Sequence, residues 1–140
     1  MRYLGLDLGT KTLGIAVSDK TNQIASFLGV VRWNGEDYEQ LFKELTPIIQ
    51  DKGITSIVLG LPKNMNNSLG FAAERSINFE KALKERYSLD VILVDERLST
   101  VEAEGYLLEA DASRRKRKRV IDGVAACIIL DTYLRMKGTQ

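Results

Sequence analysis

The chain has 140 residues, 44% hydrophobic and 28% charged, with a formal net charge of +1, which suits one globular domain over residues 1–140 with a core that needs no staples. It holds no histidine and one cysteine, Cys127. That excludes an intrachain disulfide, imidazole acid–base chemistry and most zinc sites, and leaves carboxylates with hard cations such as magnesium or manganese.

Arg2 to Leu8 reads as a strand, and Leu13, Ile15 and Val17 alternate with smaller residues in a second, Thr12 to Ser18. Gly9-Thr10-Lys11 is a tight link, so the two predict a hairpin. Ile24 to Arg32 is a third strand after a turn at Asp19 to Asn22. The period then changes. Asp37 with Gln40 resembles a capping box, and Leu41, Leu45, Ile48 and Ile49 follow at helical spacing up to Lys52-Gly53. Ile54 to Leu59 predicts a buried strand ending at Gly60-Leu61-Pro62, and a polar loop, Lys63 to Ser68, leads to a helix from about Leu69 to Arg86. Val91 to Val94 is the fifth strand. Ser99 with Glu102 opens a helix through about Ala110, and a last helix is expected from about Val120 to Met136. Strands separated by helices return parallel through right-handed crossovers. The expected α/β fold is therefore a mixed five-stranded sheet, three antiparallel strands then two parallel ones, with helices on both faces.

Three carboxylates fall where such a sheet builds sites. Asp7 ends the first strand, on the same face as Gly5 and Tyr3. A carboxylate there is costly to bury without a cation or hydrogen-bond partner. Asp95-Glu96-Arg97 follows the fifth strand, and in open α/β sheets sites form beyond the carboxyl ends of parallel strands. Alternation says that Asp95 and Glu96 face opposite ways and leaves open which is the ligand. Asp122 is expected in the first turn of the last helix, where a favourable interaction with the helix dipole is the plain alternative. The small residues Gly123, Ala125 and Ala126 that follow it would let this helix approach the sheet closely.

Brought together unpaired, three acids repel and raise one another's pKa values. Divalent cations resolve that conflict, and a carboxylate cluster with two hard cations is a known arrangement for phosphodiester hydrolysis, in which no histidine is required. The charge pattern points the same way. Six of the 20 basic residues form one run, Arg114-Arg115-Lys116-Arg117-Lys118-Arg119, leaving 14 against 19 acidic residues elsewhere. Such a run attracts a polyanion, so nucleic acid is the expected partner. Lys11 and Arg97 are further candidate phosphate contacts.

These motifs resemble the YqgF/RuvX family, described as Holliday-junction resolvases or as nucleases that trim the precursor of small-subunit ribosomal RNA. The resemblance covers nearly the whole chain. It rests on Asp7-Leu8-Gly9-Thr10-Lys11 with Gly14 and Ala16-Val17-Ser18, on Gly60-Leu61-Pro62, on Asp95 to Thr100 with Glu102-Ala103, and on Asp122 with Ala125-Ala126 and Ile129-Leu130. It implies an RNase H-like fold, Asp7, Glu96 and Asp122 as catalytic and metal-binding acids, and Mg2+ or Mn2+ as cofactor. It favours Glu96 over Asp95. It implies a metal-dependent endonuclease that processes the 5′ end of pre-16S rRNA, or a resolvase of branched DNA, acting as monomer or homodimer. One departure is visible: the family loop after Gly-Leu-Pro usually carries Asp-Gly before Ser or Thr, whereas this chain has Asn66-Asn67-Ser68.

Two other readings compete. Asp7-Leu8-Gly9-Thr10 also resembles the phosphate loop of actin-like ATPases and sugar kinases, but those use two related domains, and 140 residues supply one. A non-catalytic RNA-binding ribosome-assembly factor would explain the basic run but not the acids. No apolar run reaches the roughly 20 residues that span a bilayer, and the first residues read as a strand rather than a secretory leader. No membrane partner and a cytoplasmic location are therefore expected.

Overall fold

The computed structural model describes residues 2–62, 70–95 and 114–138, with 114–124 described as backbone only. In chain order the elements are β1 (Tyr3–Leu8), β2 (Thr12–Ser18), β3 (Ala25–Arg32), α1 (Tyr38–Lys52), β4 (Ser56–Leu61), α2 (Phe71–Tyr87), β5 (Asp90–Asp95) and α3 (Arg114–Gly138). The helix expected from Ser99 to Ala110, the Asn66-Asn67-Ser68 departure, Glu96 and Arg97 lie outside the described residues.

The five strands form one sheet in the order β3-β2-β1-β4-β5. β1 pairs antiparallel with β2, and β2 with β3, while β4 pairs parallel with both β1 and β5. This is the expected mixed sheet, and its two chain reversals explain it. Between β1 and β2 the turn closes with Gly9 N–H donating to the Thr12 carbonyl at 2.7 Å. The parallel strands need the crossovers that α1 and α2 provide.

Strand alternation divides the core in two. On one face Leu4, Leu6, Ile15, Ile57 and Leu59 pack against Leu41 and Leu45 of α1 and Phe79 and Leu83 of α2. On the other face Tyr3, Ala16, Val58 and Val94 pack against Ala126, Ile129, Leu130 and Leu134 of α3. α3 lies close to the backbone of β1. A Cβ added at Gly5 would stand 2.7 Å from the Leu130 Cβ and 3.0 Å from the Ala126 carbonyl oxygen, so glycine is what allows the helix to sit there.

Two local expectations are corrected. The Asp37 carboxylate caps α1 by accepting from Glu39 N–H at 3.0 Å, but Gln40 does not close a capping box. The Asp37 N–H is already held by the Asn34 side chain, and Gln40 turns instead to the Asn34 N–H, both at 2.8 Å. The second correction concerns α3, which begins at Arg114 rather than near Val120. Arg and Lys are good helix formers, and the run contains no glycine or proline to stop it. Apolar periodicity, the signal used to set the start, is silent along such a run.

Candidate active site

Asp7 is half-buried near the carboxyl end of β1. It shares a face with Tyr3 and Gly5, the face that α3 covers. Its partner across the ladder on β2 is Gly14. On β4 the last register pair is Leu6 with Leu59, so one step further Asp7 stands beside Gly60. Both sheet neighbours of this carboxylate therefore lack side chains. Glycines inside strands mark close approach of another group.

The loop after Asp7 is braced from several sides. Trp33 donates its N–H to the Lys11 carbonyl at 3.0 Å and its indole Nε1–H to the Gly9 carbonyl at 3.4 Å. Lys11 extends its ammonium to the Asn34 carbonyl at 2.8 Å. Beneath the loop, Gly35 has a φ of +87°, and a Cβ there would stand 2.7 Å from the Thr10 carbonyl oxygen. Trp33 is itself buried and stacked on Tyr38, with ring centroids 5.7 Å apart. Its role is to cover the edge of the core, not to present a ring to a nucleobase.

Asp95 ends β5, and its alternation with Val91 and Leu93 puts it on the α1/α2 side of the sheet. That is the side opposite Asp7, so the two strand-end aspartates do not converge. Asp122 is not in the first turn of its helix, because α3 starts eight residues earlier and its first turn holds no acid. The helix-dipole explanation of this residue therefore falls away. α3 runs antiparallel to β1: Tyr133 meets Tyr3 with ring centroids 5.5 Å apart, and Ala126 and Leu130 meet Gly5. Following β1 toward Asp7 means following α3 back toward position 122, one helical turn before Ala126. The basic run Arg114 to Arg119 forms the first turns of α3.

Arg75, on α2, carried no motif signal, yet it reaches this edge. Its Nη1 donates to the Thr10 hydroxyl at 3.2 Å. Its Nε is enclosed with no hydrogen-bond partner among the described residues, and no ion pair is formed by Arg75 among them. A buried, unsatisfied donor costs on the order of 1–3 kcal/mol. That Gly14 and Gly60 flank Asp7 was the other feature not evident from the sequence. Glycine within an otherwise apolar strand was the available signal for both.

Known proteins resemble the chain along its whole length. A family model described as "RuvX: Holliday junction resolvase" matches residues 1–136. The chain belongs to the RuvX family. A relative in this family from Geobacillus kaustophilus, named "Putative pre-16S rRNA nuclease", is 51% identical over 137 residues, covering 98% of this chain and 99% of its own. Among solved structures, T. thermophilus RuvC in complex with a Holliday junction substrate superposes with a TM-score of 0.60 at 15% identity, covering 98% of this chain and 96% of the other. A fowlpox virus resolvase bound to Holliday junction DNA gives 0.54 at 14% identity, with 98% and 99% covered. At such identities these structures speak for the fold, which is RNase H-like. RuvX proteins are a family of nucleases.

The chemistry of the expected acids suits a divalent metal ion. The donors are carboxylate oxygens, the ligands of hard cations. Among the described residues no three of His, Cys, Asp and Glu meet to hold a metal; two of the three expected acids, Glu96 and Asp122, have no described side chain. Among the described residues no helix is long and apolar enough to cross a membrane.

Proposed function

We propose that this chain is a metal-dependent endonuclease of one domain, residues 1–140, that trims the 5′ end of pre-16S rRNA in the cytoplasm. The observation that carries the reading is Asp7, half-buried at the carboxyl edge of the parallel strands with a glycine on each side. The name of the 51% identical relative supports RNA as substrate. Asp7, Glu96 and Asp122 are the residues that would hold the cation, magnesium or manganese. The family resemblance favours Glu96 over Asp95, and Asp95 belongs to the face opposite Asp7, since Val94 before it packs on the α3 face.

Bound there, a divalent cation supplies Lewis-acid stabilisation of phosphoryl oxygens and a water acidic enough to act as nucleophile near neutral pH. The chain's own part is to orient and attract. Asp7 is held on a strand rather than a loop, which fixes its carboxylate without help from substrate. Lys11, Arg97 and the run Arg114 to Arg119 would attract the phosphate backbone. With no histidine anywhere in the chain, no imidazole is available to carry protons. The second reading, resolution of branched DNA, is favoured by the description of the matching family.

A panel of labelled substrates in magnesium and in manganese tests the reading: single-stranded RNA, a small-subunit rRNA precursor and a four-way DNA junction. The precursor should be cut near its mature 5′ end, with Asp7→Asn lowering the rate by about 10^3-fold or more while remaining folded. Cleavage of the junction alone would overturn the RNA assignment, and an unimpaired Asp7→Asn would overturn the site.

A further inference from the structure

We infer that Arg75 is a phosphate-binding residue of this site, gripping the nucleic-acid backbone beside the Gly9-Thr10-Lys11 turn. The inference rests on the nuclease reading above and adds a contact on the opposite side of the sheet from α3. Three observations lead to it. Arg75 is half-buried on α2, and its hydrogen bond to the Thr10 hydroxyl spans 65 positions of the sequence to reach the turn three residues after Asp7. Among the described residues no carboxylate forms an ion pair with it. Its Nε is sealed from solvent without a partner among them.

A guanidinium in that state is poorly placed to stabilise the fold. An enclosed donor left over within a half-buried side chain normally has a missing acceptor. Its surroundings sharpen the point. Tyr38 packs nearby, close enough for the Arg75 charge to lower the phenol's tendency to keep its proton, against the larger effect of burial. The turn it holds is already fastened by Trp33, Lys11 and Gly35, so it has other braces besides Arg75. What Arg75 adds at that edge is a fixed positive charge. The planar fork of arginine matches phosphate oxygens, and a strand running past Asp7 would bring a phosphate there. The basic end of α3 approaches from the other face of the sheet, so the two cationic groups would hold the strand from both sides of Asp7.

The test is the salt dependence of binding, which a purely structural role would not change. A labelled single-stranded RNA oligonucleotide is titrated in the Asp7→Asn background, with Arg75 intact, as Arg75→Gln and as Arg75→Lys. For a single strand each phosphate contact contributes about 0.7 to the slope of log K against log salt. Arg75→Gln should lose about that much slope, and Arg75→Lys, which keeps the charge, should retain it. Arg75→Met stands in if the glutamine variant loses its cooperative melting transition. Unchanged slopes in both neutral variants would overturn the inference, as would an equal loss in Arg75→Lys. If the intact-Arg75 protein shows no salt-dependent binding to RNA or to a four-way junction, the nuclease reading fails with it. Normal salt-dependent binding of the intact-Arg75 protein, with the slope unchanged in the neutral variants, would sink the Arg75 contact alone.

Discussion

Asp19 shows how far a single exposed carboxylate can be tuned by its turn. Its pKa is held down to about 2, first by the Thr21 hydroxyl and then by the Ile24 and Gln23 N–H groups, at 3.1 and 2.9 Å. These donors favour the charged form. A depressed folded pKa stabilises the fold above the ordinary value of 3.8, and that contribution is lost as pH falls from about 4 toward 2. Urea midpoints measured across that window should therefore converge for wild type and Asp19→Asn at the acid end and differ above pH 5. Parallel curves would show that the turn does not couple to folding. Cys127 gives a second reading at this scale. Burial, with Asp131 adding to it, pushes its thiol up to about 11, so at pH 8 a thiol reagent should label native protein far more slowly than urea-unfolded protein. Of the site residues, Asp7 was legible because a carboxylate in an apolar strand stands out. Its glycine neighbours were not, because register decides who sits beside whom, and register is a property of pairs of strands. The choice between Asp95 and Glu96 was open for the same reason: alternation gives opposite faces, but only packing against named helices says which face is which.

At the scale of elements, α3 carries most of what changed. Its start lies six residues before the predicted one because the basic run is helical, and this removes Asp122 from the helix terminus. Six cations at the N-terminal end of a helix oppose the macrodipole, so the run does not favour the helix electrostatically. Replacing Arg114 to Arg119 with glutamine keeps helix propensity and removes that charge. Nucleic-acid affinity should fall and its salt slope should flatten, with little change in the melting temperature; an unchanged slope would show that the run makes no phosphate contacts. The docking of α3 on β1 gives a sharper prediction. Gly5→Ala puts a methyl 2.7 Å from the Leu130 Cβ and 3.0 Å from the Ala126 carbonyl. Overpacking of this kind costs about 1–3 kcal/mol, read as a lower urea midpoint. It should also reduce cleavage, because lifting α3 moves position 122 away from Asp7. Full activity in Gly5→Ala would show that the helix position does not matter to the site.

The whole molecule explains why a chain without histidine can host this chemistry. The sheet order β3-β2-β1-β4-β5 puts β1 at the centre, between β2 and β4, with α1 and α2 closing one face and α3 the other. The carboxyl ends of β1, β4 and β5 then lie along one edge, and the antiparallel run of α3 over β1 brings its basic end toward that edge. Periodicity and the right-handed crossover rule were enough to anticipate this topology, since both are local or nearly so. The helix expected from Ser99 to Ala110 lies outside the described residues. In the proposed activity Asp7, Glu96 and Asp122 act together on a divalent cation. The most direct measurement is cleavage of an rRNA precursor as magnesium or manganese is titrated, for wild type and for Asp7→Asn, Glu96→Gln and Asp122→Asn. Wild type should cut only with added metal, and each variant should fold normally yet lose about 10^3-fold or more of the rate at every metal concentration. Metal-independent cleavage, or full activity in any one of the three variants, would contradict it.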